Sequence, residues 1–372
     1  MTDWEALRAE FPALERWTYL NTASFGQVPR RAYQAVARHF AHRDELACAD
    51  FLDWFDDADL IRSNLAQLLG CTAADVAFLP TASMAMSLLL QGIDWQPGDR
   101  VLTLEGEFPN NLYGPAVLDS RGVIYDVVPW ERFHESLDDR TRLVVLSGMN
   151  YSTGFRAPVE EIGRELRRRG VLFYLDGTQG VGAFRMNVAK IAPAMLAVDA
   201  YKWMLTPNGA GFAYVHPDVR RWLPPAVIGW RSHYDWRSVD HLHQGVPVFK
   251  DSAERYEGGT LPFPGLYALD EVTRMMLAIG PEQIEARVLD LAARTADLLR
   301  SLGAQVLHER SPIIAARFGG RDASDMARHL HERGILVSAR HGNLRISVHF
   351  YNNVSDLERL GEGLTKALAE PR

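Results

Sequence analysis

VLFYLDGTQGVG (171–182) and MLAVDAYKW (195–203) decide the fold. Each opens as a short apolar run and closes on a residue that can do chemistry, Asp176 in the first and Lys202 in the second. Neither alternates polar with apolar, which is the pattern of strands buried on both faces. Outward from this pair, similar runs recur at VAFL (76–79), RVLTLEG (100–106), IYDVVP (124–129), LVVLSGM (143–149) and AGFAYVH (210–216). Helix-length segments lie between several of them, notably SMAMSLLLQG (83–92) and VEEIGRELRRRG (159–170). Pro158 precedes the second helix and Gly170 ends it, the usual asymmetry of helix boundaries. Strand–helix alternation of this kind predicts an α/β architecture with a mainly parallel sheet flanked by helices.

The rhythm changes after about Pro262. A long helical run (281–303) precedes a strand IIAARF (313–318), a helix SDMARHLHERG (324–334), strands ILVSAR (335–340) and NLRISVHF (343–350), and a last helix from about Ser355. The expected organisation is an N-terminal segment (1–18) packing with a small domain, a large α/β domain (19–262) with a loop-rich connector at 217–262, and a small C-terminal α+β domain (263–372). A length of 372 residues suits two such units.

Composition narrows the class. Hydrophobic residues at 47% and charged residues at 23% are those of an ordinary soluble globular protein. A net charge of −7 argues against a general nucleic-acid surface, and Arg167-Arg168-Arg169 reads as the solvated, cation-favouring end of a helix. Two cysteines, Cys48 and Cys71, exclude a disulfide framework and leave no thiolate metal cluster to build, so no metal is expected. No apolar run approaches the roughly 20 residues that span a bilayer. The opening MTDWEALRAEF reads as a short amphipathic helix rather than a signal peptide, and a cytoplasmic location is expected.

In open α/β sheets, ligands sit beyond the carboxyl ends of the strands. Asp176, Lys202, Ser83 and the loop GEFPNN (106–111) all fall there. Singly, each has an ordinary structural explanation: a turn aspartate, a surface lysine, a helix cap, a core phenylalanine. Together they supply what pyridoxal 5'-phosphate (PLP) chemistry requires. Lys202 offers an amine for an imine, and Asp176 an acid facing the pyridine nitrogen. The Ala82-Ser83-Met84 turn offers a phosphate cradle at a helix N-terminus, and Phe108 an aromatic ring over the pyridine face.

On these residues the chain resembles the class V aminotransferase family of fold-type I PLP-dependent enzymes, which includes cysteine desulfurases, kynureninases and isopenicillin N epimerase-like proteins. The resemblance spans nearly the whole chain. YLNTASFG (19–26) is similar to the family's opening motif, YLDGTQGVG (174–182) to its aspartate motif, and DAYKW (199–203) to its lysine motif. RYEGGTLPF (255–263) resembles the segment that reaches across a dimer, and LRISVHFYNNVSDLERL (344–360) the C-terminal signature. The resemblance implies that Lys202 forms the imine and shuttles the Cα proton, that Asp176 pairs with the pyridinium, and that Gln179 hydrogen-bonds the phenolic oxygen or the lysine region. It further implies that Phe108 stacks where many relatives use histidine, and that Ser83 holds the phosphate with the Ala82 and Met84 amides. Thr260 would add a phosphate contact from the neighbouring subunit of a homodimer, and Arg345 would clamp the substrate carboxylate by a bidentate pair.

The departures inform the reaction. Asp199-Ala200-Tyr201-Lys202 stands where many relatives carry Ser-x-His-Lys. Tyr201 can still donate to phosphate, whereas Asp199 cannot while ionised. Tyr151 stands where several relatives place an asparagine beside the cofactor oxygen. EFPNN, DAYKW and GWRS (229–232) are closest to the epimerase-like branch, and the loop that holds the persulfide cysteine of desulfurases reads SARHGN (338–343). A small amino acid is therefore the expected substrate and transamination the expected reaction, with a C–S β-lyase or an epimerase as alternatives. Asn21, Ser24, Trp230, Arg231 and His233 are the candidate substrate-side residues, His233 also as an acid or base. Two outlying readings stand apart. The Gly177, Gly180, Gly182 spacing has the wrong order for a nicotinamide oxidoreductase fingerprint. A non-catalytic member of the fold would have no need of Lys202 opposite Asp176.

Overall fold

The computed structural model describes residues 2–369. Seven strands form the main sheet, in the spatial order Val76–Ala77, Phe212–Val215, Met195–Val198, Leu172–Asp176, Thr141–Ser147, Arg100–Leu104, Ile124–Val128. Only Phe212–Val215 runs against the rest, pairing antiparallel with the strands on both its sides. Every other pairing is parallel.

Strand pleating sends successive side chains to opposite faces, and two separate cores result. Val101, Leu143, Val145, Tyr174 and Met195 join one, with Met86, Leu89 and Leu90 of the helix Ala82–Gly92. Leu102, Val144, Leu146, Phe173 and Leu196 join the other, with Ile162 and Leu166 of the helix Val159–Arg169. Helices therefore cover both faces, which explains the unbroken apolar runs. Gly170 closes the second helix at φ +68°, and the three arginines of its last turn are exposed.

Two long helices, Arg30–Leu46 and Asp53–Leu69, precede this sheet and pack against Phe263–Ile279. Pro281–Ser301 follows and leads into an antiparallel sheet of Ser338–Arg340, Asn343–Ser347, Ile313–Phe318 and Ala304–Val306. The expected strand 335–340 divides at Val337. Ile335–Leu336 pairs in parallel with Thr18–Tyr19, while Ser338–Arg340 turns to pair with Asn343–Ser347. The N-terminal stretch is tied to this second sheet further: Arg8 bonds Asp356 and the Tyr351 carbonyl, and Asn21 bridges to Ser347. No helix among the described residues is long and apolar enough to cross a membrane.

Close backbone approach joins the opening segment to the lysine turn. Gly26 N–H donates to the Tyr201 carbonyl at 2.8 Å. A Cβ at Gly26 would lie 2.0 Å from the Lys202 carbonyl oxygen, backbone that cannot swing aside. Gly26→Ala is expected to destabilise the fold by about 1–3 kcal/mol or more, read as a lower midpoint in denaturant unfolding. A midpoint equal to wild type would show that the two segments do not press on one another.

Candidate active site

The parallel register brings the chemistry to one edge. Ser147 lies opposite Asp176, and Asp176 opposite Ala197, so three neighbouring strands end together. The turns that follow them deliver Tyr151, Thr178, Gln179, Asp199 and Lys202 to one enclosed cleft, which Ala82, Ser83, Phe108 and Asn110 close from the adjoining helices. A larger groove lies between the helices Arg30–Leu46, Asp53–Leu69 and Phe263–Ile279, lined by His39, Asp57 and Tyr267 among others. It contains none of these groups, so the smaller cleft is the one with a catalytic constellation.

Lys202 is 7% exposed. Burial lowers its pKa, and the Arg345 and Arg340 charges lower it further, while Asp176 and Asp199 oppose the shift. Its Nζ lies 5.2 Å from the Phe108 ring centre and 5.6 Å from that of Tyr201. That leaves an amine with reduced affinity for its proton, the state a nucleophilic lysine needs. Asp176 accepts from Thr178 N–H at 2.9 Å through Oδ1. Oδ2 has no donor among the described residues, so an acceptor stays open toward the cleft.

The phosphate end differs from the sequence expectation. Ala82 N–H donates to Asp199 Oδ1 at 2.8 Å, and Met84 N–H donates to Oγ1 of the cap residue Thr81 at 3.2 Å. Two of the three expected groups are thus engaged within the protein, because amides at a helix start have no partner within the helix and take nearby side-chain oxygens. Ser83 lines the cleft, and its hydroxyl has no partner among the described residues. Asp199 acquires a definite role as the partner of Ala82. Burial raises its pKa and the nearby Asp176 adds to the rise, against the Ala82 hydrogen bond and Lys202. Gln179 lines the cleft, yet its amide accepts from Trp203 Nε1 at 2.7 Å and donates to the Ala23 carbonyl at 3.1 Å. It braces the lysine turn against the opening segment, in keeping with the expected bond to the lysine region. Tyr201 stacks obliquely on Phe25 at 5.0 Å.

On the substrate side, Arg345 is 1% exposed. Its guanidinium donates to Ser24 Oγ (2.6 Å), the Tyr151 carbonyl (2.6 Å), Ser338 Oγ (3.0 Å) and, at 3.4 Å, Asn21 Oδ1. Ser24 in turn donates to Asn21 at 2.9 Å. All these acceptors are neutral, and burial brings the arginine down to about 9. Asn21 and Ser24 therefore hold Arg345 in place. The connector residues are not brought to this cleft. Arg231 is buried in ion pairs with Glu254 and Glu257 and lies over the rings of Phe55 and Trp236. Its charge is fully compensated, which makes it a structural anchor. His233 accepts from Val248 N–H and stacks on His243 at 4.1 Å, and Trp230 Nε1 donates to Thr260 Oγ1 at 3.3 Å.

Several cleft residues escaped the sequence reading. Thr178 and Asn110 line it, and Ser147 is held by Glu107, a buried carboxyl that accepts from Ser147 N–H at 2.7 Å and Asn111 Nδ2 at 3.0 Å. Burial raises Glu107. His341 Nε2 lies 2.7 Å from the Tyr151 hydroxyl, and Tyr151 meets Phe108 edge-on at 5.2 Å. The spacing Asp176-x-Thr178 could have flagged the first of these as an Asx turn. Nothing local announces His341.

An uncharacterized aminotransferase of Schizosaccharomyces pombe is 25% identical over 331 residues, covering 85% of this chain and 83% of the relative. A probable cysteine desulfurase of Methanothermobacter thermautotrophicus is 26% identical over 76% of this chain and 72% of its own length. The solved structure of the cystine C–S lyase C-DES, in complex with its reaction product cysteine persulfide, superimposes with a TM-score of 0.89 at 20% identity, covering 97% of this chain and all of that one. This likeness shows a shared fold, the fold-type I architecture of PLP enzymes. The profile of the family described as Aminotransferase class-V matches residues 53–360, and the chain belongs to that family of pyridoxal-phosphate-dependent enzymes.

Proposed function

We propose that the protein is an amino-acid aminotransferase that anchors its cofactor on Lys202 and works as a homodimer. The observation that carries this reading is a buried amine of lowered pKa that lines the same cleft as Asp176, whose Oδ2 has no donor among the described residues, with an uncompensated guanidinium, Arg345, beside it. Those groups fit the cofactor: Asp176 can accept from a ring N–H, Ser83 can donate to phosphate, and the buried Nδ2 of Asn110, which has no partner, can donate to a ring oxygen. When bound, PLP supplies an electron-accepting ring conjugated to an aldehyde that condenses with amines.

The chain's own residues do the rest. Arg345 binds the substrate carboxylate and orients the bonds at Cα. Lys202, its proton affinity lowered by burial, would take the Cα proton and hand it back. Asp176 holds a proton on the ring nitrogen. Phe108, edge-on to Tyr151, excludes water from one side. A desulfurase reaction through a protein persulfide lacks its nucleophile: neither Cys48 nor Cys71 lines the cleft, and burial pushes the Cys71 thiol up to about 12.

The homodimer reading rests on the connector. Val227, Ile228, Trp230, Tyr234 and Val246 are exposed there, an apolar surface that association would cover. Thr260 is exposed and bonded only to Trp230 on its own chain, which leaves it available to a facing subunit's phosphate.

Three measurements test the reading. An amino-acid panel followed through the cofactor's visible spectrum should accumulate pyridoxamine phosphate, and borohydride treatment should fix a pyridoxyl group on Lys202. Pyruvate with ammonia would instead indicate elimination, and loss of optical activity alone epimerisation. Arg345→Ala should raise KM about 30-fold or more for substrate carboxylates with cofactor content retained, and an unchanged KM would refute its role as the clamp. Light scattering should give twice the chain mass, whereas an active, PLP-loaded monomer would overturn the dimer.

A further inference from the structure

The antiparallel sheet carries two arginines on one face, and one of them, Arg345, is bonded to the cleft residue Tyr151. Residues two apart on a strand share a face, so Ser338 and Arg340 do. Ser338 lies opposite Arg345 and accepts from its Nε at 3.0 Å, which identifies that face as the one carrying the substrate clamp. Arg340 leaves its strand on the same side, as the diagonal neighbour of Arg345. Such neighbours stand about 7–8 Å apart at the backbone, a gap that long guanidinium side chains can narrow to the separation of two carboxylates on one small molecule. The Arg340 charge is felt at both Lys202 and Arg345, where it opposes protonation.

Neither arginine has a carboxylate. Arg345 makes only neutral contacts, and Arg340 donates only to the carbonyl of Ala339, at 2.7 Å. Among the described residues, no aspartate or glutamate pairs with either. Elsewhere this protein pairs its buried arginines, as at Arg62 with Glu257 and at Arg231 with Glu254. Two neighbouring uncompensated cations, one of them almost wholly buried, are unfavourable until an anion joins them. The turn is also held in place. His341 adopts a left-handed backbone at φ +48°, unusual for a residue with a side chain, and its ring bonds the Tyr151 hydroxyl of the cleft wall at 2.7 Å.

We infer that the substrate is a dicarboxylic amino acid of the aspartate or glutamate kind, its α-carboxylate on Arg345 and its side-chain carboxylate on Arg340. His341 ties the turn that carries Arg340 to the cleft wall at Tyr151. This inference rests on the reading of the cleft as an amino-acid site.

Calorimetry on the PLP-loaded protein tests it with unreactive ligands. Succinate and glutarate should bind about tenfold or more tightly than butyrate, the strength of one charge-assisted pair. Arg340→Ala should abolish that preference, Arg340→Lys should restore part of it, and Arg345→Ala should weaken all three ligands. Equal affinity for mono- and dicarboxylates in the wild type, or a preference that survives Arg340→Ala, would overturn the inference while the amino-acid site stands. If no carboxylate binds and no amino acid alters the cofactor spectrum, the site reading fails and the inference with it.

Discussion

Where two adjacent strands end, the protein takes an amine and two carboxyls out of water and holds them together. Desolvation disfavours the charged forms of Lys202 and Asp199, and the results run in opposite directions: Lys202 gives up its proton more readily and Asp199 keeps one more readily. Backbone stitching maintains the arrangement against that penalty. Gly177 N–H donates to the Ala197 carbonyl at 2.8 Å, and Asp199 N–H donates to Thr178 Oγ1 at 3.0 Å. Behind this layer, Glu107 ties the end of the neighbouring strand to the loop that carries Phe108. The sheet register, the two cores and the brace of Gln179 all serve to keep this small group of polar atoms where solvent would otherwise pull them apart.

The main sheet was legible because its physics is local. A strand covered on both faces needs an apolar residue at every position, and those runs stand out from the helices between them. The carboxyl edge of the sheet was legible for a related reason: Asp176 ends its strand, and Lys202 and Ser83 come a few residues after theirs, so their place there comes with the fold. The helices Arg30–Leu46 and Asp53–Leu69 did not emerge, and neither did the break at Val337, because the latter depends on a parallel pairing with Thr18–Tyr19 far away in the chain.

The substrate side was less legible, and the errors share a cause. Arg231 has the residue type of a carboxylate ligand, but its counter-ions are 23 and 26 residues distant, and nothing in GWRS reveals that its charge is already satisfied. His341 and Tyr151 are 190 residues apart. The first pairing is set by how the connector folds on itself, the second by how the two sheets meet. The Ala82 and Met84 amides show a subtler limit: the helix start is readable, and Thr81 caps Met84 locally, but the oxygen that takes the Ala82 amide comes from Asp199 in a distant segment.

The tether between the opening segment and the rest of the cleft constrains how this scaffold can change its chemistry. Asn21 and Ser24 grip Arg345, Ala23 is bonded to both Gln179 and Ser347, and Gly26 presses on the lysine turn. Altering any one of these disturbs anchor, clamp and brace at once, so the interior resists piecemeal evolution. The hairpin turn at 340–342 is free of that web on its outer side, where Gly342 has open space around it. A lineage seeking a new reaction from an old cofactor would find its latitude there, able to exchange the residue presented to the substrate while the machinery beneath stays untouched.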